Sequence, residues 1–453
     1  MSNPGEADAT PIRSARQLAD YLNAGCKPSS EFTIGTEHEK FGFRIDDLSS
    51  PPYEPGGIRA TLEGIAASGW EPILDHGNPI GLKRGGASVS LEPAGQLELS
   101  GDMLADLHQT AAEFQAHFAD VRAVAEPLGL GFAPLGFHPT QTRAAMPWMP
   151  KSRYAIMRRY MPQVGSMGLD MMTRTCTVQV NLDFGSEADM AAKLKVSLAL
   201  QPIATALFAN SPFVEGKPSG FLSARANVWT DTDNQRSGMP HLMFAENFGF
   251  ERYVEWVLDV PMYFVMRDGE MIDLAGHSFR QFIAGSLGNT RVGEATIGDF
   301  ADHLTTVFTD VRLKRFLEMR GADAGRPDMM VAQSALWVGL LYDDAALAAA
   351  GELVRRHPWS VYEGLRPLVA RHALDAPLGS GSVRDVAREM VSIAEAGLKG
   401  RGRRDKDGQD ESIHLAPLHE IVNGGLTQGE YWLSRFNGDW HGDVTRIFAE
   451  AAI

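Results

Sequence analysis

The chain has 453 residues, 44% hydrophobic and 22% charged, an ordinary globular composition with enough apolar material for one large core or two to three modest ones. Its formal net charge of −15 argues against nucleic acid and anionic membrane surfaces as partners, although a local arginine or lysine pocket could still receive a small anion. Two cysteines, Cys26 and Cys176, cannot build a disulfide framework, and "MSNPGEADAT" has neither a basic n-region nor an apolar h-region, so a reduced, cytoplasmic protein is expected.

Residues 1 to about 12 read as a frayed tail, followed by a helix in "SARQLADYLNAG" with Ser14 as its cap. "FTIGTEHEKFGFRI" is strand-like, and residues 58 to 68 are helical. "GLKRGGASVSLEPAGQLELSG" reads as two strands broken at a Pro93–Gly95 turn, and "ADLHQTAAEFQAHFADVRAVAEPLG" as a long amphipathic helix. "RTCTVQVNLDFGS" alternates as a strand, with a helix after it in "ADMAAKLKVSLALQPIATALFANSP". Its apolar run is interrupted by Gln201 and Pro202 and is too short to span a bilayer. Beyond about residue 325 the pattern is mostly helical, and "GLKGRGRRDKDG" reads as a solvated loop at a helix end. No internal repeat or long linker divides the chain. Residues 1–453 are therefore expected to form a single unit, with about 345–453 as a mostly helical C-terminal part. Strands between helices with few βαβ signatures predict an α+β fold.

In "GTEHEKFGF", the period of two puts Glu37 and Glu39 on one strand face and Thr36, His38 and Lys40 on the other. "SLEPAGQLELSG" likewise puts Glu92 and Glu98 in one phase, "RTCTVQVNLDF" aligns Gln179 and Asn181, and "RFLEMRGAD" aligns Glu318 with Arg320. Solvent faces of antiparallel strands also alternate, but glutamate is depleted in strands, and five glutamates here share strand-like segments with few cations near in sequence. Hard divalent cations with oxygen ligands resolve that charge, and two or three Mg²⁺ ions bridging nucleotide phosphates suit such rows. There is no GxxxxGK[ST], HExxH or GxSxG motif, and "LGLGF" lacks dinucleotide-binding spacing.

These segments resemble glutamate–cysteine ligases of the plant and proteobacterial type. The resemblance runs through "GCKP", "IGTEHEKFGF", "SLEPAGQLELSG", "MPKSRYAIMRRYMPQVGSMGLDMMTRTCTVQVNLDF", "LALQPIATALFANSPFVEGKPSGFLSARANVWTDTD", "DVPMYF", "VRLKRFLEMRGAD" and "WVGLLYDD", nearly all of residues 20 to 345. It implies a curved, mainly antiparallel sheet packed by helices, similar to the catalytic part of glutamine synthetase, that binds ATP against the sheet. The implied reaction joins the γ-carboxylate of L-glutamate to the amine of L-cysteine through γ-glutamyl phosphate, the first step of glutathione biosynthesis, with Mg²⁺ or Mn²⁺ and ATP as co-substrate. Residue by residue, it implies Glu37, Glu39, Glu92, Glu98, Gln179 and Glu318 as metal ligands, with Asn181 beside Gln179. Arg320 and Glu318 are implied as catalytic, with Arg320 beside the transferred phosphoryl, and Arg153 and Arg225 as the glutamate-binding arginines. Plant members carry further cysteines that form regulatory disulfides; "MIDLAGHSF" and "DMMVAQSALW" have none at the corresponding places. Two alternatives stay open at this point: a glutamate–amine ligase with a different acceptor, or a sensor of glutamate or nucleotide without turnover.

Overall fold

Strand β1 (Ile34–Arg44) is the axis of the main sheet, because both of its faces are buried. A computed structural model describes residues 8–288 and 292–453. The other strands of this sheet, numbered among themselves, are β2 (Glu71–Asp75), β3 (Asn78–Arg84), β4 (Ala87–Leu91), β5 (Leu97–Ser100), β6 (Leu130–Ala133), β7 (Thr177–Leu182), β8 (Val311–Leu313) and β9 (Leu317–Asp323). Their order is β8-β9-β7-β1-β5-β4-β3-β2, with β6 on the far half of β1, and every pairing is antiparallel. The fold is α+β, a mainly antiparallel sheet packed by helices. The expected break between β4 and β5 is a tight turn in which Gly95 adopts φ 86°, where a Cβ would also strike Ile58.

The principal helices are α1 (Ala15–Asn23), α2 (Leu107–Ala125), α3 (Ser152–Val164), α4 (Glu187–Leu207), α5 (Ala224–Val228), α6 (Pro327–Leu341) and α7 (Val383–Arg401). Ser14 caps α1 as expected, its side chain accepting from the Gln17 amide. The β1 face carrying Thr36, His38 and Lys40 meets helices. Thr36 Oγ1 lies 2.8 Å from Ser334 Oγ of α6, and the His38 ring packs edge-on to Phe114 of α2. Helix α6 has no polar face: Met329 through Leu341 are all buried, so it passes through the core rather than over it. No helix among the described residues is long and apolar enough to cross a membrane.

Two expectations are corrected. The first seven residues of the expected tail lie outside the described residues, but residues 11 and 12 are not frayed. Ile12 is buried, its amide donates to the Ala295 carbonyl, and Pro11 forms a bridge with Thr296. A single apolar residue with a distant partner leaves no periodic signal in sequence. The stretch "GLKGRGRRDKDG" is a loop only in its second half. Its first five residues finish α7, Leu398 is buried there, and Arg401 pairs with the buried Glu411 at 2.9 Å.

Candidate active site

Directly opposed residues in an antiparallel ladder point the same way, so the register lays out the site. Glu39 of β1 faces Glu98 of β5, which faces Ser90 of β4. Glu37 faces Gln179 of β7, and Asn181 of β7 faces Glu318 of β9, which faces Arg312 of β8. Five strands thereby contribute one row of oxygen donors. Glu92 extends it in the β4–β5 turn, in phase with Ser90.

The row is not a solvated face. Glu37, Glu39, Glu92, Glu98 and Glu318 are all buried, between 0% and 8% exposed. Burial and the neighbouring Glu318 and Glu98 raise the Glu37 carboxyl to about 7. Burial, Glu98 and Glu92 raise Glu39 to about 8. Burial also raises Glu92. Glu37 accepts from Asn181 Nδ2 at 2.9 Å and from Gln179 Nε2 at 3.4 Å, while Glu39 accepts from the Thr177 amide at 2.9 Å. Among the described residues neither carboxylate has an ion-pair partner.

Glu318 differs. Burial by itself would raise it, but Arg312, Lys314 and Arg320 hold it well below the usual carboxylate range. Arg312 grips it with Nη2–Oε1 at 2.6 Å and Nε–Oε2 at 3.2 Å, Lys314 Nζ lies 3.1 Å away, and Arg320 Nη1 donates to both Glu318 and Gln179. Glu318 is therefore the anchor of a cationic group at one end of the row. Arg312 and Lys314 escaped the sequence reading. Their signal was the phase of "VRLKRFLE", where two cations two apart fold back across a tight hairpin onto the glutamate.

The proposed arginines arrive from two helices. Arg153 of α3 is buried, with its guanidinium 5.3 Å from the Phe264 ring centre. Arg225 of α5 is also buried. Its Nη2 and Nη1 donate to the Arg320 and Gly321 carbonyls at 2.9 and 3.2 Å, leaving Nε without a partner among the described residues. Those carbonyls are available because β9 is irregular between Met319 and Ala322. A cavity beside this irregularity is lined by Arg225, Arg320, Trp229 and Arg366. Asp323 ends β9 and was not foreseen. It accepts from the Asn210 amide and from the Ser211 and Ser223 hydroxyls at 2.6–2.8 Å, tying "ANSP" and "LSAR" to the sheet.

The donor chemistry fits a hard divalent cation. The row is all oxygen, it holds carboxylates that burial leaves reluctant to ionise, and Asn181 Oδ1 has no partner among the described residues. No three His, Cys, Asp or Glu side chains form a ready cluster among the described residues. A spread row suits Mg²⁺, which takes one or two carboxylates and completes its shell with water and phosphate oxygens.

The chain is similar to known proteins over most of its length. A family model, glutamate–cysteine ligase family 2, matches residues 33–450. The chain is 50% identical over 434 residues to a chloroplastic glutamate–cysteine ligase of Nicotiana tabacum, covering 96% of this chain and 82% of the relative. It is 49% identical over 443 residues to the one from Arabidopsis thaliana, covering 98% and 83%. A crystal structure of a glutamate–cysteine ligase from Francisella tularensis, in complex with AMP, shares the fold with a TM-score of 0.56 at 12% identity, covering 93% of this chain and 87% of that one. The expected cytoplasmic location is corrected by these relatives, which are named chloroplastic. With residues 33–450 matched and about half of all positions identical to curated relatives, the chain belongs to glutamate–cysteine ligase family 2.

Proposed function

We propose that residues 1–453 form one catalytic unit that joins the γ-carboxylate of L-glutamate to the amine of L-cysteine at the expense of ATP. The observation that carries this is the row of buried oxygen donors across five strands, with cations at its end. A carboxylate is a poor acyl donor, so its oxygen first attacks the γ-phosphorus of ATP, giving γ-glutamyl phosphate and ADP. The cysteine amine then attacks the acyl carbon and phosphate leaves, with no covalent enzyme intermediate.

Glu37, Glu39, Glu92 and Glu98, bordered by Gln179 and Glu318, would hold Mg²⁺ or Mn²⁺, which supplies charge neutralisation for the nucleotide phosphates. Arg320, held in place by Glu318, faces the phosphoryl in flight. Arg153 and Arg225 orient glutamate by its carboxylates, Arg225 through the nitrogen its backbone contacts leave open. Burial of the row keeps water away from the acyl phosphate. ATP would lie along the sheet, which is consistent with the missing phosphate-binding loop; the Francisella structure of the same fold is a complex with AMP.

The test is ADP release by purified protein given ATP, Mg²⁺ and L-glutamate, across a panel of amino-acid acceptors. Release that requires both glutamate and L-cysteine, and that disappears with a chelator, is expected. Equal rates with unrelated amines, or no turnover, would defeat the proposal.

A further inference from the structure

One buried cation near the carboxylate row has no role in the mechanism above. Lys151 is 3% exposed, and among the described residues its Nζ has neither a hydrogen-bond acceptor nor an ion-pair partner. The Tyr154 ring centre is 5.5 Å away, too loose a contact to replace hydration. At the opposite end of the row, Arg312, Lys314 and Arg320 are tied to Glu318, and Arg225 to backbone carbonyls.

The backbone holds Lys151 where it is. The Ser152 amide and hydroxyl bind the Asp75 carboxylate at 2.6 and 2.8 Å. The Met149 amide donates to Pro93 in the β4–β5 turn, and the Tyr154 hydroxyl to Leu91 at 2.9 Å. These bonds clamp the start of α3 over the turn that carries Glu92. Lys151 is the residue immediately before that 13-residue helix and makes no side-chain cap. A cation at the positive end of a helix is disfavoured, and so is an ammonium stripped of water without an acceptor. The Asp75 carboxylate on the Ser152 amide offsets the first cost, and an anion that accepts from the ammonium would offset the second.

Resting on the proposed function, we infer that Lys151 binds the side-chain carboxylate of the acyl-donor amino acid and selects glutamate over its uncharged amide. Arg153, two residues on, presents a planar fork suited to the α-carboxylate. Lys151 is a point charge on the Glu92 and Glu98 side, where those two acids are the carboxylates that act most strongly on it. The carboxylate to be phosphorylated must lie on that side, next to the metal-holding acids.

Wild-type protein and Lys151→Met are titrated with L-glutamate and with L-glutamine, whose γ-carboxamide has the same shape without the charge, and their Tm values are measured without substrate. The variant should lose at least about tenfold in glutamate affinity, with glutamine binding unchanged within about twofold. Its Tm should stay level or rise, because an apolar side chain of similar length replaces a desolvated charge. Unchanged glutamate affinity, an equal loss for both ligands, or a lower Tm with equal losses would overturn the inference, the last by making Lys151 a structural counter-ion of Glu92. Lys151→Gln gives the same ratio if the methionine variant does not fold. Wild-type ADP release that needs both glutamate and an amine keeps the two questions apart. If it is absent, the proposed function fails; if it is present and Lys151→Met keeps the wild-type ratio of glutamate to glutamine affinity, only this inference fails.

Discussion

Glu39 and Glu318 show how two glutamates in one row acquire opposite characters. Glu39 lies among other carboxylates with one amide donor, so burial and like charge drive it toward the neutral form. Glu318 lies among three cations and stays ionised. Replacing Glu39 by glutamine removes a charge needed only when metal and nucleotide are bound. Glu39→Gln is expected to lower kcat at least about 10²-fold, the scale of one transition-state charge contact. The metal-free variant should be as stable as wild type or more so, since one member of a repelling group is gone. Steady-state kinetics together with thermal unfolding check both parts, and near-normal turnover would remove Glu39 from the metal set.

At the scale of elements, the irregularity in β9 links the arginine side of the site to the helix layer. The Gly321 carbonyl receives Arg225 from α5 and the Thr205 hydroxyl from α4, and the Arg320 carbonyl receives Arg225 again. Gly321 lies directly against Gln201 of α4, where an added Cβ would come within 2.5 Å of the amide nitrogen. Gly321→Ala must therefore displace Gln201 or the strand. It should cost about 1–3 kcal/mol of stability and raise the KM for glutamate through the shifted Arg225. An unchanged Tm with unchanged KM would mean that the strand absorbs the methyl group without moving Arg225.

For the molecule as a whole, the shared charge of the row sets a pH dependence. Glu37 and Glu39 keep protons up to about 7 and about 8, whereas in the unfolded chain they ionise near 4.5. Between those limits these two groups bind more protons in the folded than in the unfolded chain, so their own contribution to stability falls as pH rises through the window and levels off above it. Burial lowers His38, His117, His138 and His303 from 6.5, and they contribute in the opposite sense, so the row is read as a difference between proteins. The Tm of metal-free wild type minus that of metal-free Glu39→Gln should decline from about pH 5 to about pH 8, and added Mg²⁺ should restore more of the wild-type value at the upper end, where it no longer has to displace protons. A difference that rises steadily over that range would contradict the burial of the row. Redox conditions, in contrast, should matter little. Cys176 is wholly buried and burial pushes its thiol well above the ordinary value, while Cys26 follows α1 at the surface of the core. Initial rates and gel-filtration volumes after oxidised or reduced dithiothreitol should agree within about twofold, well short of the tenfold that 1.4 kcal/mol represents. A reversible switch lost in Cys26→Ser would show that this thiol reports on oxidation after all.

The strands and the phase of their carboxylates were legible in the sequence, because a period of two is a local property that each segment carries by itself. The same holds for the Ser14 cap, the Pro93–Gly95 turn and the helical C-terminal part. Only the tertiary structure decided which rows meet. The register of β1 against β7 joins residues about 140 positions apart, and no local period encodes it. That register puts Gln179 beside Glu37. The β8–β9 hairpin wraps Glu318 in Arg312 and Lys314, and the clamp on α3 sets Lys151 over a turn some 60 residues earlier. Charge state follows from these distant neighbours, since both desolvation and Coulomb interaction depend on distance in space rather than along the chain.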